Sequence, residues 1–259
     1  MKIMLTFCQK IKEEVNLSLV LAKTDFKSKN EGSYLGILWY LINPLLMFAL
    51  LLFIFSDRLG NDIPYYSAYM LLGIIMFNFF QNTTIESTAA IIQNGGLIKS
   101  INFPKEILVW STVFKNIFSH FFEIGIFLIL LLFLKIPLIN LILYLPILIL
   151  LSLFISGLSF LLAALNIKIA DLSNIWVFGS RLIWLGTPLF YSINNSPRLL
   201  IVNLFNPMYY FITLAREIII YSKIPAWWLI FGALVYTLLS LITGLFIFKR
   251  LKNKFAELV

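Results

Sequence analysis

The sequence predicts an all-α integral membrane protein: six transmembrane helices, an N-terminal amphipathic helix on the membrane surface, and short re-entrant helices before the last span. Three observations predict it. Hydrophobic residues fill 61% of 259 positions and mean hydropathy is +0.94, well above the range of a soluble domain of this length. Uncharged runs of about 20 residues or more recur along the chain, the length a helix needs to cross roughly 30 Å of hydrocarbon. The formal charge of +8 is scattered between those runs and forms no single face, so it reads as membrane topology and excludes a nucleic-acid surface.

Residues 1–34 form the predicted interfacial segment. Met4, Cys8, Ile11, Val15, Leu19, Ala22 and Phe26 recur at three- and four-residue spacing with charged residues between them. That pattern belongs to a helix lying on the membrane, or packed on a partner. Lys10, Lys12, Glu13 and Glu14 interrupt any signal-peptide core, so this end is expected to stay cytoplasmic.

Residues 35–259 form the predicted membrane domain. Span one covers 35–55. Span two, 67–91, turns polar at Gln81, Asn82, Thr83, Thr84 and Glu86, so its second half is expected against protein or water. A connector follows at about 94–106. Span three, 107–134, carries Lys115, Asn116, His120 and Glu123. Span four, 138–165, is uncharged and long enough to tilt or to bend at Pro146. Span five, 172–192, holds Arg181 near its middle and Pro188 near its end. The stretch 199–221 is broken by Asn203, Asn206, Pro207, Arg216 and Glu217, which predicts a re-entrant or interfacial pair of short helices within an outer region of about 193–225. Span six covers 227–248.

Orientation follows from lysine and arginine in alternate loops. With the N-terminus inside, the inner set is Lys2, Lys10, Lys12, Lys23, Lys27, Lys29, Lys99, Lys105, Lys168, Lys249, Arg250, Lys252 and Lys254. The outer set is Arg58, Lys135, Arg198, Arg216 and Lys223. The excess inside predicts six spans with both termini cytoplasmic, whereas a seventh span at 199–221 would put the basic tail outside.

Enzymatic chemistry finds little to work with. The chain has no G-x-x-x-x-G-K-[ST] phosphate loop, no H-E-x-x-H and no G-x-S-x-G, and His120 is its only imidazole. Cys8 has no second cysteine for a disulfide or a zinc site, and Asp57 with Asp62 beside Arg58 read as a solvated turn. No metal and no cofactor are expected in this chain. Glu86, His120, Glu123 and Arg181 form a predicted intramembrane polar network, since charges at such depth seek partners; the expected pairing is Arg181 with Glu86 or Glu123, and the alternative is a role along a translocation path.

The most informative string is KTDFKSKNEGSYLGILWYLINPL, from Lys23 to Leu45. With Asp25, Lys27, Ser33, Leu35, Gly36, Leu38, Trp39 and Pro44 in place, it resembles the type-2 ABC-transporter permeases, specifically the polysaccharide exporters of O-antigen, capsule and teichoic acid. GLIKSINFPKEIL is similar to that family's loop between spans two and three. G-x-x-x-F-N-F-F at Gly73 to Phe80, P-x-x-Y at Pro188 to Tyr191, Asn206-Pro207-Met208, and Phe248 with Phe255, Ala256 and Glu257 add to the resemblance, which covers essentially the whole chain. Ala170-Asp171 departs from it, because the family often has Arg-Asp there.

The resemblance implies the membrane subunit of an ATP-driven exporter that moves lipid-linked polysaccharide across the bacterial inner membrane. Alternatives are the same fold with a drug or lipid cargo, and an intramembrane polyprenyl-phosphate sugar transferase. A six-span chain without an ATPase needs a partner, and a path between two bundles needs a homodimer, so two copies with two ATP-binding subunits are expected, the partner holding ATP and magnesium. Gly96, Leu97, Ile98, Lys99, Ser100, Phe103 and Pro104 are the predicted coupling segment docking on that partner, with Leu97, Ile98 and Phe103 as apolar anchors. Lys23, Lys27 and Lys29 are candidates for receiving a polyprenyl pyrophosphate. Trp39, Phe77, Phe80, Trp184 and Tyr191 are candidates for lining a sugar passage, because rings suit the flat faces of sugars.

Overall fold

The structure is a computed structural model that describes residues 2–30, 36–193 and 197–255; side chains are described from Lys12 onward, apart from those of 29, 30, 37, 40 and 61. The described residues fold as helices joined by short turns, with no strand among them. Helix α1 (Lys2–Asn30) runs along α5 (Glu106–Phe133), burying Ser18 and Ala22 while Val15, Leu17 and Val20 stay exposed. The periodicity of the first segment thus forms the helix it predicts, continued to Asn30.

Four helical stretches are long and apolar enough to cross a membrane: Leu41–Leu59, Glu106–Phe133, Leu138–Asn166 and Trp227–Lys254. They correspond to predicted spans one, three, four and six. Predicted spans two and five differ from these four for physical reasons. Helix α3 (Tyr66–Gln93) is a single 28-residue helix, but its polar second half lowers its hydropathy. It is the hub of the fold, packed against α2 (Trp39–Leu59), α5, α6 (Tyr144–Asn166), α7 (Leu172–Gly186) and α9 (Pro207–Ile219). Helix α7 has only 15 residues and stops at Gly186, short of the predicted 192. Pro188 explains the stop, since it lacks an N–H and forces the preceding Thr187 into the extended conformation seen there, φ −82 and ψ 135.

Span four changes from 3-10 to α-helix just before Pro146. Pro146 lies in the first turn of α6, where a missing N–H costs nothing, and residues Leu138–Leu143 before it form a tighter 3-10 segment. The interrupted stretch at 199–221 folds as two short helices, α8 (Pro197–Leu204) and α9. Asn206 caps α9 by accepting from the Met208 N–H at 3.1 Å, and Pro207 occupies its first position.

Helix α10 (Trp227–Leu251) makes its closest approach to α6. Thr237, Ser240 and Gly244 share one face of α10 and meet Leu150, Phe154 and Gly157 of α6. The Ser240 hydroxyl donates to the Phe154 carbonyl at 2.7 Å, and Gly244 sits directly on the Gly157 carbonyl. Small residues here bring two backbones together, the usual means of tight helix association in lipid.

Candidate functional site

Three constellations carry the polar chemistry of the bundle. The first joins α3 to its neighbours on the side where the basic C-terminal tail emerges. Glu86 accepts from Lys115 at 2.9 Å and from Asn116 at 2.8 Å, which binds α3 to α5. Further along α3, Gln81 donates to Ser180 at 3.0 Å, the Trp176 indole donates to Thr84 at 2.9 Å, and Asn166 donates to the Thr88 carbonyl at 2.9 Å. Gln81, Thr83, Thr84, Glu86 and Thr88 of the polar half of α3 therefore face protein, as its composition predicts, while Asn82 is exposed. A cavity of about 330 Å³ opens beside Glu86 and Lys115, bounded by Asp25 of α1, Gln93 and Asn94.

The second constellation lies deeper. His120 is buried between Glu123 at 3.2 Å from Nδ1 and the Tyr144 hydroxyl at 2.6 Å from Nε2, and Phe79 stacks on its ring at 4.7 Å. His120 and Glu123 come together as their spacing predicts. Tyr144 was not legible, because its partner is 24 residues away in another helix.

Arg181 corrects the expected network. It is exposed on α7 and makes no ion pair among the described residues, while Glu86 and Glu123 are engaged by Lys115 and His120. The reason is rotational: Ser180 and Trp176 turn toward α3, which carries Arg181 to the far side with Asn174, Ile175 and Phe178.

The third constellation, which the sequence reading missed, centres on Arg216. Its side chain is 2% exposed. The guanidinium donates to the Tyr69 carbonyl through Nε at 3.0 Å and Nη2 at 2.8 Å, to Pro188 through Nη1 at 2.7 Å, and to Leu189 through Nη2 at 3.0 Å. It also lies over the Tyr69 ring at 3.3 Å. Three carbonyls from α3 and the turn after α7 thus satisfy one buried cation on α9. Gly73 makes the room, since a Cβ there would stand 2.5 Å from Nη2. A clue existed in Gly73 and Pro188 both belonging to recognisable motifs, but nothing in the sequence joined them to Arg216. Beside it, Tyr69, Tyr209, Tyr221, Glu217 and Lys223 line a cavity of about 300 Å³.

The predicted coupling segment contains a short helix, α4 (Gly95–Ser100), set at the end of α3. Asn94 holds the junction by donating to the Ala90 carbonyl at 2.8 Å. Ile98 faces inward with Ile91, Leu108, Phe160 and Phe248, and Leu97 and Phe103 pack partly against the same cluster. Ile98 is therefore a core residue and not a docking anchor. The apolar side chain presented outward is Ile101, 55% exposed, next to exposed Gly96, Lys99 and Ser100, with Pro104 partly buried.

Lys23 and Lys27 are exposed on α1, and the Lys29 side chain lies outside the described residues, as do Ser33 and Leu35 of the opening motif. Among the aromatic candidates, Phe77 and Phe80 are fully buried in the core around α3, so within the protomer they pack the bundle and line no passage. Trp184 and Tyr191 are partly buried against Phe190, and Trp39 is exposed.

The chain is 26% identical to the O-antigen export system permease protein RfbA of Myxococcus xanthus, over 93% of its own length and 94% of the relative's. It is 25% identical to the O-antigen export system permease protein RfbA of Klebsiella pneumoniae, over 94% and 95%. The family model described as "ABC-2 type transporter" matches residues 17–220, from the second half of α1 through the end of α9 and so across all three constellations, and the chain belongs to that family.

Proposed function

We propose that two copies of this chain form the membrane passage of an exporter that carries an O-antigen-like glycan, linked to a polyprenyl pyrophosphate, across the bacterial inner membrane. Two separate ATP-binding subunits drive it. The observation that carries this reading is the similarity to O-antigen export permeases along nearly the full length of both chains. The exposed Ile101 beside α4 supplies the apolar contact through which a partner's motion reaches α3.

In this reading α3 and α7 join the four apolar helices as spans, α8 and α9 are the outer re-entrant pair, and α1 is the cytoplasmic interfacial helix. A charge at the centre of a lipid-facing helix costs about 2.5–3.5 kcal/mol. Arg181, exposed on α7, avoids that cost if its face meets a second copy or a water-filled passage. That supports a homodimer with α7 at the passage. Trp39 is the exposed aromatic candidate for sugar contact, and Lys23 and Lys27, exposed on α1, are the candidate cations for a pyrophosphate.

Proteoliposomes containing the chain and its ATP-binding subunit are expected to export lipid-linked glycan with ATP, and the chain alone to do neither transport nor hydrolysis. ATP cleavage by the isolated chain would overturn the reading. Replacing Ile101 with Asp is expected to weaken co-purification of the ATP-binding subunit by about tenfold or more, the loss of one apolar interface anchor. Reporter fusions at Val259, at the α4 connector and at Ser222 are expected to read cytoplasmic, cytoplasmic and external; opposite sides for the first two would remove the six-span arrangement.

A further inference from the structure

Where α5 begins and α10 ends, a cavity of about 770 Å³ opens among Lys105, Trp110, Lys249 and Lys252, with Asn102 and Glu14 at its rim. Glu106 in the same wall takes Lys252 at 2.7 Å. Lys105 and Lys249 have no ion-pair partner among the described residues, and three lysines against two carboxylates leave the cavity positive.

Its height in the membrane follows from the helices themselves. Lys105 immediately precedes α5, and Lys249 stands in the last turn of α10; both helices belong to stretches apolar and long enough to cross. At about 1.5 Å per residue the 28 residues of Glu106–Phe133 span about 42 Å against roughly 30 Å of hydrocarbon, so the cavity falls in the head-group layer beside it. Trp110, one turn inside α5, meets Phe160 edge-on at 5.5 Å, a position suited to an amphipathic ring at the interface. Ile242 and Phe246 precede Lys249 at seven and three residues, so the three share one face of α10; both apolar side chains are exposed, at 66% and 63%. An ammonium group at the boundary with a bare apolar track running from it into the membrane matches a molecule with a phosphate head and acyl tails. Basic pockets between membrane helices on the cytoplasmic side bind such head groups.

We propose that this cavity binds the phosphate of an anionic phospholipid of the inner leaflet, with Lys105 and Lys249 as donors and Ile242 and Phe246 as the bed for its acyl chains. The site is separate from any glycan path and stands whether or not the cargo assignment does. Its occupant ties the first turn of α5 to the last turn of α10, on either side of the cluster of Ile98 and Phe248 that holds the coupling helix.

The test is native mass spectrometry of the full chain in neutral detergent, titrated with dioleoylphosphatidylglycerol, dioleoylphosphatidylcholine or inorganic phosphate. Phosphatidylglycerol is expected to bind tightest, and Lys105→Gln with Lys249→Gln to weaken it roughly thirtyfold, from two lysines near the membrane surface. Lys105→Arg with Lys249→Arg should retain it, which separates charge loss from misfolding. An equal loss in Lys23→Gln with Lys27→Gln would overturn the proposal in favour of diffuse surface charge. Inorganic phosphate binding as tightly as the lipid would overturn the acyl-chain assignment. Unchanged lipid binding in the Gln pair together with loss of the ATP-binding subunit would make the cavity a protein-docking surface and overturn it as well.

Discussion

Replacing Arg216 with Ala is expected to lower the thermal unfolding midpoint in detergent by on the order of 10 °C and to abolish export. The side chain fills a buried position and donates to the carbonyls of Tyr69, Pro188 and Leu189. Removing it leaves the Leu189 carbonyl without that donor in a site with little access to water, while the Pro188 carbonyl keeps the Tyr69 hydroxyl at 3.2 Å; the lost charged hydrogen bonds and the cavity left behind cost about 3–5 kcal/mol in all. A change of that size in a chain of this length corresponds to the stated shift. Arg216→Lys keeps the charge but loses the planar fork that reaches carbonyls on two sides, so it is expected to recover about half the stability. Full recovery with lysine would show that charge alone matters, and wild-type stability in the alanine variant would remove the clamp altogether. Gly73→Ala is expected to reproduce part of the loss, because its methyl group meets the guanidinium.

Gly244→Val is expected to separate α10 from α6 and to prevent a monodisperse folded chain from being recovered. A Cβ at this position runs into the backbone carbonyl of Gly157, and a Cβ at Gly157 runs into the backbone of Ser240. Overpacking a core costs about 1–3 kcal/mol when side chains can move aside, and more where the obstacle is backbone. The helices must then part, which breaks the Ser240 bond to the Phe154 carbonyl and loosens the ring contact of Phe248 with Phe160 at 5.0 Å. Gly125→Ala is the control, since nothing lies within 4 Å of a Cβ built there. Size-exclusion profiles and unfolding midpoints of the two variants check the result; equal behaviour would show that the α6 and α10 contact is not limiting.

These two sites show how differently parts of the molecule were legible. Gly73 and Pro188 stood in recognisable motifs, yet their common reason is a single arginine far along the chain. Arg216 was assigned to an outer loop by charge counting, which cannot distinguish a solvated cation from a clamped one. Glu86 was rightly placed in a polar network, but its partner is Lys115 on the adjacent α5 and not Arg181. Ile98 and Ile101 look alike in sequence and, three residues apart, would share a face of one helix; α4 ends at Ser100 and Ile101 is extended at φ −132 and ψ 142, which leaves it outward while Ile98 is buried.

The chain's helicity, its apolar stretches, the amphipathic α1 and the polar half of α3 were determined by the sequence alone, because length, hydropathy and periodicity are local properties. The partners of the buried ions, the burial of Phe77 and Phe80, the outward turn of Arg181 and the contact of Gly157 with Gly244 were decided only by tertiary structure. A helix rotated by one residue turns about 100° and keeps the same hydropathy, so the facing of each side chain is set when neighbouring helices pack.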